Sequence, residues 1–426
     1  MKRRSFLAGA LGGTAGLALT ACGNGEAVDG DGDGPGDSAG GPVEITYWLW
    51  QDDATDSTWT DLAESFNSAQ SDVKVTLETI PLDQYQNKIT TAAMNNTGPD
   101  AARCKDWWIG QFAPAGATAD LTPFVDGWEA RDDVVEGLWK TGRLPGEESI
   151  YMLPHQYTTL YMYYRKDYFA EVGLEAPKTQ DEFLAAAEAL TGTDRYGFDV
   201  RGGGGGQDQW LAWMYAGGAN LVDDAGEIVL NDATGVEVNE KYLSIVTDLE
   251  AAPPGSITAA FADVKTNFAS GLTAMMIHHP GSLAEMTEVY GDDLGVIPIP
   301  GTGSGPSRTL GAMSGNIIMA QSEKQEAAWK WISWLSETEQ MATMSTSPQG
   351  QLPVLSSVME MDEFTSDPNL KVAVDAIPDA VTWPGLPGVA TLAGKEWNPT
   401  IQQGFQGELT SQEVVDKMAA VLASDA

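Results

Sequence analysis

Residues 98–108 read GPDAARCKDWW. Gly98-Pro99-Asp100 is a turn signal. It opens a run of small and apolar residues that ends in Lys105, Asp106 and two adjacent tryptophans. Neighbouring side chains on a strand or helix cannot face the same core, so one of these indoles must meet a second packing layer or a ligand. The preceding residues decide how the stretch folds. Residues 43–50 (VEITYWLW) are β-rich and apolar, and 58–67 (TWTDLAESFN) place Trp59, Leu62, Ala63 and Phe66 at helical spacing. Residues 73–80 (VKVTLETI) alternate with period two, and 85–94 are helical again. A third strand opening at 98 completes a β-α-β-α-β series, which predicts an α/β fold whose mainly parallel sheets are flanked by helices.

The alternation resumes further on. Residues 149–154 and 160–165 read as strands, as do 272–277 and 295–299. Residues 179–190 (TQDEFLAAAEAL) are predicted to be a helix, with Thr179 as N-cap and Glu182 closing a capping box. Residues 324–335 (KQEAAWKWISWL) form an apolar-faced helix that assigns Trp329, Trp331 and Trp334 to the core.

The chain's 426 residues exceed one ordinary core and suit two or three domains. Its net charge of −38 opposes nucleic acid, whose phosphates it would repel, and an anionic membrane surface. The first 21 residues read as a cleaved signal: Lys2-Arg3-Arg4 is followed by an apolar, glycine-rich run, and RRSFL has the twin-arginine form. Leu19-Thr20-Ala21-Cys22 has the form of a lipobox, which predicts cleavage before Cys22 and a lipid on its sulfur. Residues 22–42 are Gly/Asp-rich and read as a tether between membrane and domain. Asp29, Asp31, Asp33 and Gly34 begin like a calcium loop, but Gly40 occupies the position that needs a bidentate glutamate. The only other cysteine is Cys104, so no intramolecular disulfide is expected once Cys22 carries lipid.

Ligands of open α/β sheets sit beyond the carboxyl ends of the strands. Trp50, Gln51, Asp52 and Asp53 follow the first predicted strand, and Asp106, Trp107 and Trp108 follow the third. His155, Gln156, Tyr157 and Thr158, then Gln207, Asp208 and Trp210 after the five-glycine run 202–206, then His278 and His279, and finally Trp383, add similar chemistry. Flat indoles beside amides and carboxylates suit the apolar C–H faces and hydroxyl rims of sugars. The three histidines have poor spacing for a metal, no nucleophile elbow or phosphate loop occurs, and the glycine run lacks the third glycine of a dinucleotide fingerprint. No metal, no cofactor and no catalytic group are therefore assigned.

The order of these motifs resembles the extracellular solute-binding proteins, family 1, of ABC transporters, the sugar-binding relatives of maltose-binding protein. The matching pieces are GPDAARCKDWW, the run YMLPHQYTTLYMYYRKDYFAEVGLEAPKTQDEF at 151–183, FASGLTAMMIHHPGSL at 268–283, LGVIPIPG at 294–301 and EAAWKWISWLSETEQ at 326–340. The resemblance implies a two-lobe periplasmic-binding-protein fold, type II-like, with hinge crossings between the lobes. Residues 43–158 plus 298–338 would form the N-lobe, and 159–297 plus 339–426 the C-lobe. It further implies a monomeric, non-enzymatic receptor that traps a mono- or oligosaccharide and delivers it to permease subunits. Carried over residue by residue, the ligand would meet Trp50, Gln51, Asp52, Asp53, Lys105, Asp106, Trp107, Gln156, Tyr157, Thr158, Gln207, Asp208, Trp210, His278, His279 and Gly281, with Trp210 and Trp383 as the candidates for a stacking platform. Trp107 is expected to meet ligand, with Trp108 packed behind it. Two positions depart from the maltodextrin pattern: His279-Pro280-Gly281-Ser282-Leu283 lacks a stacking tryptophan, and Thr158 stands where relatives carry a carboxylate. A polyamine or glycerol phosphate receptor of the same fold, a secreted carbohydrate-active enzyme and a sugar sensor are the alternatives.

Overall fold

The computed structural model describes residues 41–51, 56–223, 225–347 and 351–424. The expected signal segment, Cys22, nearly all of the tether, and Asp52 and Asp53 lie outside the described residues. Eleven strands are described: β1 (Val43–Leu49), β2 (Val73–Thr79), β3 (Ala101–Lys105), β4 (Leu153–Thr159), β5 (Tyr161–Arg165), β6 (Tyr196–Phe198), β7 (Thr273–His278), β8 (Leu294–Ile297), β9 (Thr309–Ile318), β10 (Leu352–Pro353) and β11 (Ala380–Val381). They form two sheets. The first runs β10-β4-β9-β3-β1-β2 with β11 also on β9, and the second runs β6-β7-β5-β8.

The expectation of mainly parallel sheets needs one correction. β1 is parallel to both β2 and β3, as β-α-β units require, and β6 is parallel to β7. However, β9 is antiparallel to both β3 and β4, and β5 is antiparallel to both β7 and β8. The physical reason is the connection. A chain arriving from the other sheet without a crossover helix is free to enter in either direction, and a buried strand's apolar run does not encode direction.

Only Leu160 separates β4 in the first sheet from β5 in the second. The chain returns between β8 and β9, and the two passages are tied together where Thr309 Oγ1 donates to the Leu160 carbonyl at 2.7 Å. After β9 the chain stays on the first sheet longer than the family pattern implied, since β10 pairs with β4 and β11 with β9.

Each sheet is covered by helices whose apolar faces the sequence had marked. Helix Thr58–Ala69 buries Trp59, Leu62, Ala63 and Phe66. In helix Gln325–Leu335, Trp331 is fully buried, edge-on to Tyr47 at 5.8 Å and to Phe66 at 5.2 Å, while Trp329 and Trp334 pack on the margin of the core. His155 belongs to this core, with its ring 5.8 Å from Trp59, and burial pushes its pKa down to about 3. On the second sheet, helix Gln180–Leu190 has the full capping box. Glu182 N–H donates to Thr179 Oγ1 at 3.1 Å, and Thr179 N–H donates to Glu182 Oε2 at 3.2 Å.

Thr179→Ala removes one of these reciprocal bonds and is expected to cost about 1 kcal/mol. Thr179→Ser should keep most of the stability. Urea unfolding of both variants tests this, and equal stability of the alanine variant and the parent would refute the role of the box.

Candidate functional site

β9 is buried along its whole length, and β4 occupies one of its edges. β3 and β11 share the other edge. β3 covers Ser314 to Ile318, and β11 covers Thr309 and Leu310. Between them the edge has a gap, and a buried backbone N–H there needs a partner. Asp106, the first residue past β3, supplies it: the carboxylate accepts Met313 N–H at 3.3 Å and its own neighbour Trp107 N–H at 3.0 Å. The carboxyl is only 8% exposed. Burial pushes its pKa up to about 7, and Asp208 adds to the rise, against the two backbone donors and Lys105.

Asp208 comes from the other side. It sits in the first turn of helix Gly206–Ala216, which follows the glycine run. Most of that run is close-packed. A Cβ on Gly202 would lie 2.2 Å from the Ile257 carbonyl oxygen, and one on Gly206 1.7 Å from that of Arg201. Gly205 has φ +81°, which side chains rarely adopt, and Gly204 alone faces open space apart from the Ala260 methyl at 3.9 Å. The half-buried Asp208 accepts the indole N–H of Trp383 at 3.3 Å. Burial raises its pKa, while Lys105 and Arg201 pull the other way. Tyr215, on the same helix, donates to the Thr382 carbonyl at 3.2 Å. Residues 380 and 381 thus pair with β9, and 382 and 383 bond to a helix that packs on the same strand.

The remaining predicted residues divide. Trp50 is fully buried, flat against the Arg103 guanidinium at 4.0 Å and edge-on to Trp108 and Tyr85. Arg103 in turn donates to the Trp50 carbonyl and to Gln156 Oε1, both at 2.9 Å. Trp50 and Gln156 are therefore part of the packing beneath the strand ends. Trp108 stacks on Tyr85 at 5.7 Å and is 1% exposed, and Trp107 keeps 8% exposure. Trp210 was expected to face a ligand, but it has no exposed surface and donates to Asn239 Oδ1 at 2.9 Å. Helical periodicity turns it into the second core, beside Trp397.

Gln51 donates to the Asp56 carbonyl at 3.1 Å and Thr158 is half-buried. Tyr157 is buried at the gap in β9, where a Cβ on Gly311 would strike its hydroxyl, and the Asp106 charge acts on its phenol. His278 is fully buried and bonded through Nδ1 to Ser282 Oγ at 2.7 Å. His279 is half-buried, accepts Gly281 N–H at 2.9 Å and stacks on Phe261 at 4.9 Å. Phe261 was missed, as were Tyr215, Arg143 and Asn220. These last three line a cavity of about 380 Å³ together with Asp106 and Trp383. Nothing local marks them, since each is a single residue brought in by a separate helix or loop.

Among the described residues no helix is long and apolar enough to cross a membrane, and no group of three or more His, Cys, Asp or Glu could hold a metal ion. The model of the bacterial extracellular solute-binding protein family matches residues 51–342, and the chain belongs to that family. The maltotriose-binding protein of Pyrococcus abyssi is 25% identical over 346 residues, covering 78% of this chain and 71% of the relative. The diacetylchitobiose binding protein of Streptomyces coelicolor is 26% identical over 354 residues, covering 78% and 77%. Among solved structures, an ABC transporter solute-binding protein from Thermotoga lettingae bound with alpha-D-tagatose superposes with a TM-score of 0.79. It is 22% identical and covers 89% of this chain and 100% of its own. The fold is that of the two-lobe solute-binding proteins, as expected from sequence.

The raised pKa of Asp106 sets a pH dependence. Below about pH 3.8 the carboxyl is protonated whether the chain is folded or not. Between there and pH 7 the unfolded chain ionises it first, so stability falls as pH rises. Asp106→Asn abolishes this term. Its melting temperature relative to the parent, both without ligand, should be higher at pH 8 than at pH 4, and a difference that does not change with pH would refute the shift.

Proposed function

We propose that this extracellular solute-binding protein is the cargo receptor of an ABC importer and that its cargo is a mono- or oligosaccharide. The observation that carries the reading is the meeting of Asp106, Asp208 and the Trp383 indole where the two sheets adjoin. A flat aromatic beside planar acceptors, with the Lys105 charge acting on both carboxylates, can cover a sugar's apolar face and accept from its hydroxyls. The relatives named for maltotriose and diacetylchitobiose, and the tagatose held by the structural neighbour, support this choice.

In this reading the lobes divide near Leu160 and again between β8 and β9, with β10 and β11 remaining on the first lobe. Ligand contacts from both lobes favour a closed state, which the permease recognises. No bond is made or broken, and the receptor works as a monomer. Cys22 carries the lipid that holds it at the outer face of the cytoplasmic membrane, with the Gly/Asp-rich residues as a tether.

A thermal-shift screen against mono- and oligosaccharides, polyamines and glycerol phosphates tests the cargo. A ligand that binds only the folded state raises the melting temperature, and the expected result is a shift with one saccharide family. Shifts confined to polyamines would overturn the sugar assignment. Trp383→Ala should weaken the responding saccharide by about 1–3 kcal/mol, and parental affinity in this variant would remove Trp383 from the site. For the anchor, Cys22→Ser should move the protein from the membrane fraction to the soluble one. A variant that stays membrane-bound would refute lipidation there.

A further inference from the structure

The cavity beside Asp106 and Trp383 has a wall that the sugar reading does not use. Arg143 and Lys140 lie on it from the first-sheet side, and Asn220 from the turn after helix Gly206–Ala216. The Arg143 side chain is half-buried and makes no hydrogen bond or ion pair among the described residues, and its Nε is shut off from solvent without a partner. Lys140 is exposed and likewise has no ion pair among them. Among the described residues neither cation has a carboxylate partner, although acids outnumber bases 61 to 23 in this chain. Two acids share the lining and have donors of their own. Glu147 accepts the Tyr151 hydroxyl at 3.1 Å, and Asp106 accepts the backbone N–H groups of Trp107 and Met313. Asn220 Oδ1 takes the bond from Arg308 Nη2 at 2.7 Å, which leaves the Asn220 amide nitrogen as its donor and sets a third cation behind it. A guanidinium, an ammonium and an amide N–H thus line the cavity beside the Asp106 and Glu147 carboxylates without pairing to either, and a half-buried guanidinium with an unsatisfied Nε is costly to keep.

We infer that the cleft takes a saccharide bearing an anionic group, a carboxylate or a phosphate, seated against Arg143, Lys140 and the Asn220 amide. The uncharged part of the ligand would occupy the Asp106–Asp208–Trp383 side. This rests on the proposed sugar-receptor function and narrows its cargo. The overall charge of −38 opposes an anion's approach, but at physiological salt that field is screened over about 8 Å, whereas the wall acts at contact distance.

The test uses the full chain and matched pairs that differ in charge: digalacturonate against its dimethyl ester, and galactose 1-phosphate against galactose. Affinities are measured calorimetrically at low and high salt. At least one charged member should bind about tenfold more tightly than its neutral partner, as expected for charge-assisted hydrogen bonds. The preference should shrink in high salt and be lost in Arg143→Gln. Lys140→Gln, an exposed change, should reduce it without affecting the fold. A carboxylate-only or phosphate-only preference would name the source. Neutral members that bind as well as or better than every charged partner would overturn the inference while leaving the sugar reading intact. A preference that survives both variants would overturn the assignment to this wall. Failure of every saccharide, charged and neutral, to bind would remove the sugar reading and this inference with it.

Discussion

The structure depends on one edge of β9. This strand is the middle of the first sheet, lies wholly inside the protein, and receives the chain as it returns from the second sheet. Its far edge is shared by β3 and β11, which leave a gap at Met313 that no strand fills. A buried N–H cannot stay unpaired without a cost of a few kcal/mol, and the carboxylate of Asp106 completes the ladder. Because a side chain does this, the sheet opens just there, beside a cavity that Asp106 lines. The same residue that repairs the sheet thus borders the cavity, at a raised pKa that records its burial.

A helix, not a strand, meets this gap. Helix Gly206–Ala216 packs on β9 and carries Asp208 and Tyr215, which hold residues 382 and 383 by two hydrogen bonds. Its start is set by glycines that let the Arg201 and Ile257 backbones approach closely. Larger residues at Gly202 or Gly206 would push the helix, and with it Asp208, away from the first sheet. The acidic surface and the cleft therefore follow different rules. Surface carboxylates are solvated and abundant, whereas those in the cleft are few, buried and held by named donors.

Much of this was readable in the sequence. Apolar periodicity placed β1, β2 and the helices around Trp59, Phe66 and Trp331. The capping box at Thr179 and Glu182 appears as read, because such signals act over three or four residues and need no knowledge of the rest of the chain. The order of motifs was enough to indicate the family. The site was only partly readable. Trp50, Gln156 and Trp210 have the right chemistry in the right neighbourhood, but whether an indole faces a cleft or a core depends on what packs against it. For Trp50 that is Arg103, and for Trp210 it is Asn239 and Trp397, residues up to 187 positions away.

The sequence by itself determined the local elements, the α/β class, the acidic surface and the residue types available for binding, because each is set by neighbours along the chain or by composition. Only the tertiary structure decided strand direction at β5 and β9, the gap that Asp106 fills, the approach of Asp208 to Asp106 and Trp383, and the convergence of Asp106, Trp383 and Arg143 on one cavity. Those depend on contacts between segments 100 to 280 residues apart, and a hydrophobic pattern carries no information about which distant strand or charge will lie alongside.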